Sequence, residues 1–386
     1  MQATADESSA EQIGMLRESA LDFVQRNADM KTYRARRETQ PGYAPGHARQ
    51  MADMGWFAIL VPEAQGGLGL GFGELAVVLQ ELGKGLLAEP LAAACALAGR
   101  VIALAPPTDL TQDLLAGLAD GSRLPALAWQ EGVGSIDANT ITTRAQPDGA
   151  NGNAVRLCGN KRFVAGAAAA AGFVVAARAE QGIGLYWVPA DSAGLQIANE
   201  WRADGTPSGL LTFDNVLVPA SQGIAAPGEQ TQAILERAVD EAAILAGAEM
   251  LGVIEAGLAM TLAYMRTRVQ FGKAIGSFQA LQHKASDLYV QQELTRAVLA
   301  EAVAALGQEL DATDRALIAS RCKARCSDAG LRVTRELIQL HGAIGFTDEY
   351  DVGLYLKRAL VLSAWLGNAS AHRRRFALLA RDRLTL

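Results

Sequence analysis

Apolar residues recur every three or four positions over the first stretch of the chain. Leu16, Ala20, Phe23 and Val24 form one such stripe, the spacing of a helix that buries one face. Met51–Leu60 and Glu74–Leu87 repeat the pattern. Pro90 opens an alanine-rich run to Ala105 that predicts a further helix, ended by Pro106-Pro107. Gly66-Gly67-Leu68-Gly69-Leu70-Gly71 breaks the period. It follows no strand and lacks the Lys-Ser/Thr of a phosphate loop, so it reads as a connection between helices.

The period changes near Leu124. Ile141-Thr142-Thr143, Phe173-Val174-Val175-Ala176, Leu185-Tyr186-Trp187-Val188 and Leu210-Leu211-Thr212-Phe213 are short and β-prone. Pro147-Asp148-Gly149, Gln181-Gly182 and Ala203-Asp204-Gly205 separate them as turns. Short strands at this spacing predict a small β-barrel or sandwich. Gly223 to Gly228 reads as a linker. Helical periodicity then returns over Ile234–Arg266, Phe278–Leu306, Asp311–His341 and Ala359–Leu379. Long helices with short connections predict a four-helix bundle. The expected fold is mainly α with a central β domain. It comprises an N-terminal helical domain over 1–122, a β domain over 123–226 and a C-terminal bundle over 227–386.

Composition narrows the function classes. Half the residues are hydrophobic, a fifth are charged and the net charge is −6. That suits a globular protein with a large core and offers nucleic acid no basic field. Arg373-Arg374-Arg375 reads as a solvated helix face. No uninterrupted apolar run reaches the roughly 18 residues of a membrane span; Val164–Ala177 comes closest. The start, Met-Gln-Ala-Thr-Ala-Asp-Glu, has no signal pattern, so a cytoplasmic location is the default. Cys95, Cys158, Cys322 and Cys326 are too few for a disulfide scaffold. Cys322 and Cys326 are spaced to share a helix face, but no histidine clusters with them. His47, His283, His341 and His372 are scattered, so no metal site is expected.

Three C-terminal motifs carry the chemistry. Tyr264-Met265-Arg266-Thr267-Arg268-Val269-Gln270-Phe271-Gly272 is followed by Phe278-Gln279, and later by Gln339-Leu340-His341-Gly342-Ala343-Ile344-Gly345. At these spacings the set resembles the acyl-CoA dehydrogenase family of FAD enzymes. Upstream, Met54–Glu63 with Gly66-Gly67-Leu68-Gly69, Glu81-Leu82-Gly83, Gly159–Val164 and Phe213–Pro219 are similar to recurring family segments. The likeness spans essentially the whole chain.

The resemblance implies FAD as cofactor, an acyl-CoA thioester as substrate and electron-transferring flavoprotein or a similar acceptor as partner. It implies that Arg268, Gln270, Phe271, Phe278, Gln279, Gln339, Gly342 and Ala343 reach FAD held mainly by a neighbouring subunit, and hence a homo- or hetero-oligomer. Physical chemistry agrees. A guanidinium fork at Arg268 suits a pyrophosphate, Phe271 offers adenine an apolar face, and Gln279 and Gln339 can hydrogen-bond polar edges. Gly342-Ala343 permits close backbone approach, although the family usually has a second glycine where Ala343 stands. Trp129, Gln130 and Ser135 match a loop lining the flavin. Phe163, Val164 and Ala165 match a strand touching it, with Ala165 at a place where threonine is common.

The family's catalytic carboxylate is absent. Counted from Gly345 and Glu349-Tyr350, its position is Leu366, in Trp365-Leu366-Gly367-Asn368. The nearby Arg-Asp pair of the family has become Lys357-Arg358. Some branches take the base from the long helix ending at the Arg-x-Gln-Phe-Gly motif. That place falls at Ala242, beside Glu241. One residue is a rotation of roughly 100°, which a one-residue bulge repairs. Glu241 is the expected base, Glu249 the weaker candidate, and the plain alternative for Glu241 is a solvated residue beside Asp240. The competing readings are a base-lacking, FAD-contacting subunit of a heteromeric enzyme acting on bulky, steroid-derived or dicarboxylic acyl-CoAs, and a flavin oxidase or monooxygenase on the same fold.

Overall fold

The computed structural model of the chain describes residues 2–39, 41–134, 136–149 and 153–384. The helices in chain order are α1 (Gln2–Asn27), α2 (Met30–Arg36), α3 (Pro45–Asp53), α4 (Phe72–Lys84), α5 (Ala92–Leu104), α6 (Asp109–Ala119), α7 (Glu229–Thr267), α8 (Gln279–Leu306), α9 (Ala312–His341), α10 (Val352–Ala364) and α11 (Ala369–Leu384). Strands β1 (Pro125–Ala128), β2 (Arg144–Asp148), β3 (Ala154–Val164), β4 (Gly172–Ala179), β5 (Gly182–Pro189), β6 (Leu195–Trp201), β7 (Pro207–Pro219) and β8 (Gly223–Ala225) make one sheet. A separate hairpin pairs β9 (Val269–Gln270) with β10 (Lys273–Ala274).

Two compact units emerge. One gathers Met1–Ala35, Phe72–Ala88 and Ala243–Leu386; the other gathers Arg36–Gly71 and Glu89–Ala242. Both are built of discontinuous segments, whereas the stretches 1–122, 123–226 and 227–386 describe order along the chain.

In the helical unit, α4 and α7 approach backbone to backbone. A Cβ at Gly83 would lie 2.2 Å from the Glu249 carbonyl oxygen, which explains the glycine of Glu81-Leu82-Gly83. On α9, Ala316, Ala319, Lys323, Cys326, Gly330, Val333 and Leu337 form one buried stripe of alternating three- and four-residue steps. The predicted helix over Ala359–Leu379 is two helices, because Trp365–Asn368 breaks it. By length and composition α7 is long and apolar enough to cross a membrane, a property its interspersed charges hide from a search for uninterrupted runs. Its apolar window is 78% buried within the protein, as in a core helix.

In the other unit the strand order is β6-β7-β3-β2-β4-β5-β8, with β1 parallel to β4. Leu157, Val164, Phe173, Val175, Leu211, Phe213, Val216 and Val218 form its core. Ile141-Thr142-Thr143 is not a strand. Glu131 accepts hydrogen bonds from the Thr142 and Thr143 amides at 2.7 and 2.9 Å, so those donors serve a carboxylate rather than a ladder. The expected linker contains β8, which pairs with β5. The glycine-rich stretch is a connection: Leu68 and Leu70 amides donate back to Ala58 and Ile59.

Candidate functional site

The residues expected to meet FAD fall into two groups, one in each unit. In the helical unit, α7 ends at Thr267 and hands over to the β9–β10 hairpin, whose turn is Phe271-Gly272. Both turn residues have positive φ, 51° and 78°, as a two-residue primed turn requires. A phenylalanine there costs roughly 1–2 kcal/mol. Its ring is 92% exposed and meets Phe278 edge-on with centroids 6.1 Å apart. Lys273 Nζ lies 4.4 Å from the Phe278 centroid. Arg268, Gln270 and Gln279 are exposed, and Gln270 Nε2 donates to the Val269 carbonyl at 2.8 Å.

The Gln-x-His-Gly motif closes α9 nearby in the same unit. His341 is buried and stacks on Tyr264 at 4.4 Å, with Tyr350 at 4.8 Å. Its Nδ1 pairs with the Leu337 carbonyl at 2.8 Å, and Tyr264 donates to the His341 carbonyl at 3.4 Å. This stack ties the end of α7 to the end of α9 and so joins the two motifs. Gly342 then turns with φ 67° and ψ −141°, and Gln339, Gly342 and Ala343 are exposed.

These residues fit FAD. Among the described residues no carboxylate pairs with Arg268, and three positions on in the chain stands the almost wholly exposed Phe271. A free fork and a free ring face match a diphosphate and a planar heterocycle. Arg268→Ala is expected to weaken FAD retention by about ten- to a hundredfold, the worth of a charge-assisted pair. Flavin released on dilution, read by fluorescence, measures it. Arg268→Lys should recover only part, because an ammonium lacks the planar fork.

In the sheet unit, Trp129 and Gln130 follow β1 and are buried. Ser135 lies outside the described residues. A register shift between Lys161 and Val164 interrupts the pairing of β3 with β7, and Phe163 sits inside it with φ 57°. Such bulges re-aim side chains. The loop is fastened at three successive residues. Lys161 Nζ donates to the Trp129 carbonyl at 3.3 Å and to Glu131 Oε1 at 2.7 Å, and the Arg162 amide donates to the Gln130 carbonyl at 2.8 Å. Burial pulls Lys161 down to about 8. Burial alone would raise Glu131, but Lys161 and the two threonines outweigh it and hold it at about 2. Ala165 is also buried and presents a methyl group. Lys161 and Glu131 were not expected to matter; the signal was a lysine at an inward strand position, four residues after Leu157.

Glu241, the expected base, is held in ion pairs. Arg100 grips it through Nε at 2.8 Å and Nη2 at 3.3 Å, and Arg237 Nε adds a contact at 2.9 Å. Its side chain is 2% exposed, so it is no solvated residue. Both oxygens accept from guanidinium donors. Glu249 is likewise buried and receives Arg358 Nε at 2.7 Å. Ala242 is buried and carries only a methyl group.

Leu366 is fully buried, with φ 58°. Two cation-capable side chains hold its segment. Lys323 Nζ donates to the carbonyls of Leu362, Ser363 and Gly367 at 2.9, 3.2 and 3.0 Å, with Ser327 Oγ at 3.1 Å. His372 Nε2 donates to the Leu366 carbonyl at 2.8 Å. Burial brings Lys323 down to about 7 and His372 down to about 4. Cys322 and Cys326 do share a face, with their sulfurs 3.9 Å apart.

Residues 10–122 match the acyl-CoA dehydrogenase N-terminal domain and residues 232–378 the acyl-CoA dehydrogenase C-terminal domain. Acyl-CoA dehydrogenase IpdE2 of Mycolicibacterium smegmatis is 30% identical over 352 residues, 91% of this chain and 93% of that protein. The protein of the same name from Mycobacterium tuberculosis is 31% identical over 349 residues, 89% of this chain and 90% of its own length. Among solved structures, a variant of the Tcur3481-Tcur3483 steroid ACAD is 32% identical with a TM-score of 0.87, covering 98% of this chain and 100% of that one. The ChsE4-ChsE5 complex from Mycobacterium tuberculosis shares the fold, at 24% identity and a TM-score of 0.87 over 96% of this chain and 98% of that one. The chain therefore belongs to the acyl-CoA dehydrogenase family, FAD-dependent oxidoreductases acting on CH–CH groups.

Proposed function

We propose that this chain is the base-lacking, FAD-contacting subunit of a two-subunit acyl-CoA dehydrogenase whose partner supplies the carboxylate. One observation supports the reading: each position from which the α-proton would be taken holds either an apolar side chain or a carboxylate paired with arginine. Leu366 and Ala242 are apolar, and Glu241 and Glu249 are engaged by arginines. FAD, when bound, supplies the acceptor for the β-hydride. Toward FAD held mainly by a neighbouring subunit, Arg268 would hold the diphosphate, Phe271 would cover the adenine, and Gln279 and Gln339 would take polar edges. Trp129, Gln130, Phe163 and Ala165 would line the flavin of the FAD that this chain itself holds. A bulky, steroid-derived acyl chain as substrate draws support from the steroid enzyme at 32% identity, whose name joins two chains. Electrons then pass to electron-transferring flavoprotein or a similar acceptor.

The test uses the purified chain, loaded with FAD and titrated anaerobically with a panel of acyl-CoAs. The isolated chain should not bleach. Glu241→Gln should leave that behaviour unchanged while lowering stability by about 2 kcal/mol, because the Arg100 fork loses its countercharge. Bleaching by the isolated chain that disappears in Glu241→Gln would restore Glu241 as the base and remove the need for a partner. Bleaching followed by peroxide release in air would instead point to an oxidase.

A further inference from the structure

The buried positions of β3 are Leu157, Lys161 and Val164. Two are apolar; the third is a lysine with no exposed surface. A lysine in such a place is costly unless a countercharge and acceptors meet it. Glu131 supplies the charge, and its carboxylate is saturated. Oε1 accepts from Lys161 Nζ at 2.7 Å and from the Thr143 amide at 2.9 Å. Oε2 accepts from the Thr142 amide at 2.7 Å and the Thr142 hydroxyl at 2.5 Å. With Glu131 at about 2 and Lys161 at about 8, both partners are charged at neutral pH. The pair therefore ties together the loop after β1, the segment before β2, and β3. Arg178 of β4 secures the same segment, donating to the Ile141 and Asn139 carbonyls at 2.9 and 3.0 Å.

The fastening stops where burial stops. Trp129 and Gln130 are buried, and their carbonyls are taken by Lys161 Nζ and the Arg162 amide. Gly132, Val133 and Gly134, just past Glu131, are exposed. On β3 the pair sits two residues before Phe163, whose ring lies 4.9 Å from the Arg162 guanidinium carbon. One ion pair thus holds the backbone of the loop that carries Trp129 and Gln130 and of the strand that carries Phe163. Packing alone would be met by a methionine at position 161, without the cost of desolvating a charge. Charge-assisted hydrogen bonds supply direction, which packing does not. Outer partners of this kind orient the side chains that touch a ligand.

We propose that Lys161 and Glu131 are positioning residues that set the Trp129–Gln130 loop against the Phe163 bulge, and so fix the wall presented to the flavin. The inference rests on the reading above that these residues line the flavin, and it names the pair that holds them there.

The test compares the full chain loaded with FAD as wild type, Lys161→Met, Trp129→Phe and Arg268→Ala. Visible circular dichroism is the readout, because bound flavin owes that signal to its asymmetric surroundings. Lys161→Met should lose the wild-type band shape, while its FAD retention falls less than in Arg268→Ala. Arg268→Ala should lose retention and keep the band shape of the flavin still bound. That split separates positioning from a general loss of stability, which would lower both together. Should Lys161→Met fail to fold, Thr142→Val removes one hydroxyl donor from Glu131 at an exposed position and should change the band in the same direction. A band unchanged in the folded variant, with Trp129→Phe altering it, overturns the inference and leaves the flavin-lining reading standing. A band unchanged in Trp129→Phe sinks that reading, and the inference with it. Retention and band lost in equal measure in Lys161→Met would assign the pair to stability alone and overturn the inference too.

Discussion

Replacing Lys323 with alanine is expected to lower stability by about 3–5 kcal/mol. The loss has two sources. Lys323 is buried among apolar neighbours on α9, so truncation leaves a cavity. It also strands the carbonyls of Leu362, Ser363 and Gly367, each of which accepts from Nζ. The first two belong to the last turn of α10, where carbonyls lack helical partners. Lys323→Met keeps much of the volume and loses the donors, so it should fall between alanine and wild type. Denaturant titration of the three proteins separates the cavity from the carbonyls.

The same lysine sets a pH dependence. Burial lowers its pKa from 10.5 to about 7 in the folded chain. Between those values the unfolded chain keeps the proton that the folded chain has released, so stability rises with pH across that window. Lys323→Ala removes this dependence. The wild-type advantage over alanine should therefore grow on going upward from about pH 7. His372 acts with the same sign lower down: burial takes it from 6.5 to about 4, so stability falls as pH drops through that interval. A wild-type advantage that shrinks above neutrality would contradict the assignment of Lys323.

The architecture and the family motifs were legible because they are local. Helical period, turn residues and the spacing of Arg268, Phe271 and Gln279 need only neighbours along the chain. The base region was not legible because long-range contacts decide it. Glu241 reads as a near-register substitute until Arg100, 141 positions away, turns it into an ion pair. The break at Trp365–Asn368 lies inside an apparently continuous helical pattern, and the side chains that hold it come from α9 and α11. Lys323 did leave a mark, a lysine on the apolar stripe of α9, which is costly unless something satisfies it. Positive φ at Phe163, Phe271 and Leu366 is a second mark visible only in three dimensions; strain of this kind collects at binding and catalytic sites.

Restoring the family carboxylate with Leu366→Glu should therefore fail to create a dehydrogenase. Position 366 is fully buried, so the new carboxylate must ionise away from water or find a cation. Lys323 is already bonded to the adjoining Gly367 carbonyl, and an ion pair with it would hold the carboxylate below the range that suits a general base. The exchange would also draw Lys323 from the α10 carbonyls. A stability loss of about 3 kcal/mol or more is expected, with no flavin bleaching by acyl-CoA under anaerobic conditions. Leu366→Gln, of similar shape and without charge, separates the packing cost from the ionisation cost. Rapid bleaching by Leu366→Glu alone would mean that the site had lost only its base, and that the rebuilding around Lys323 and His372 does not bear on the chemistry.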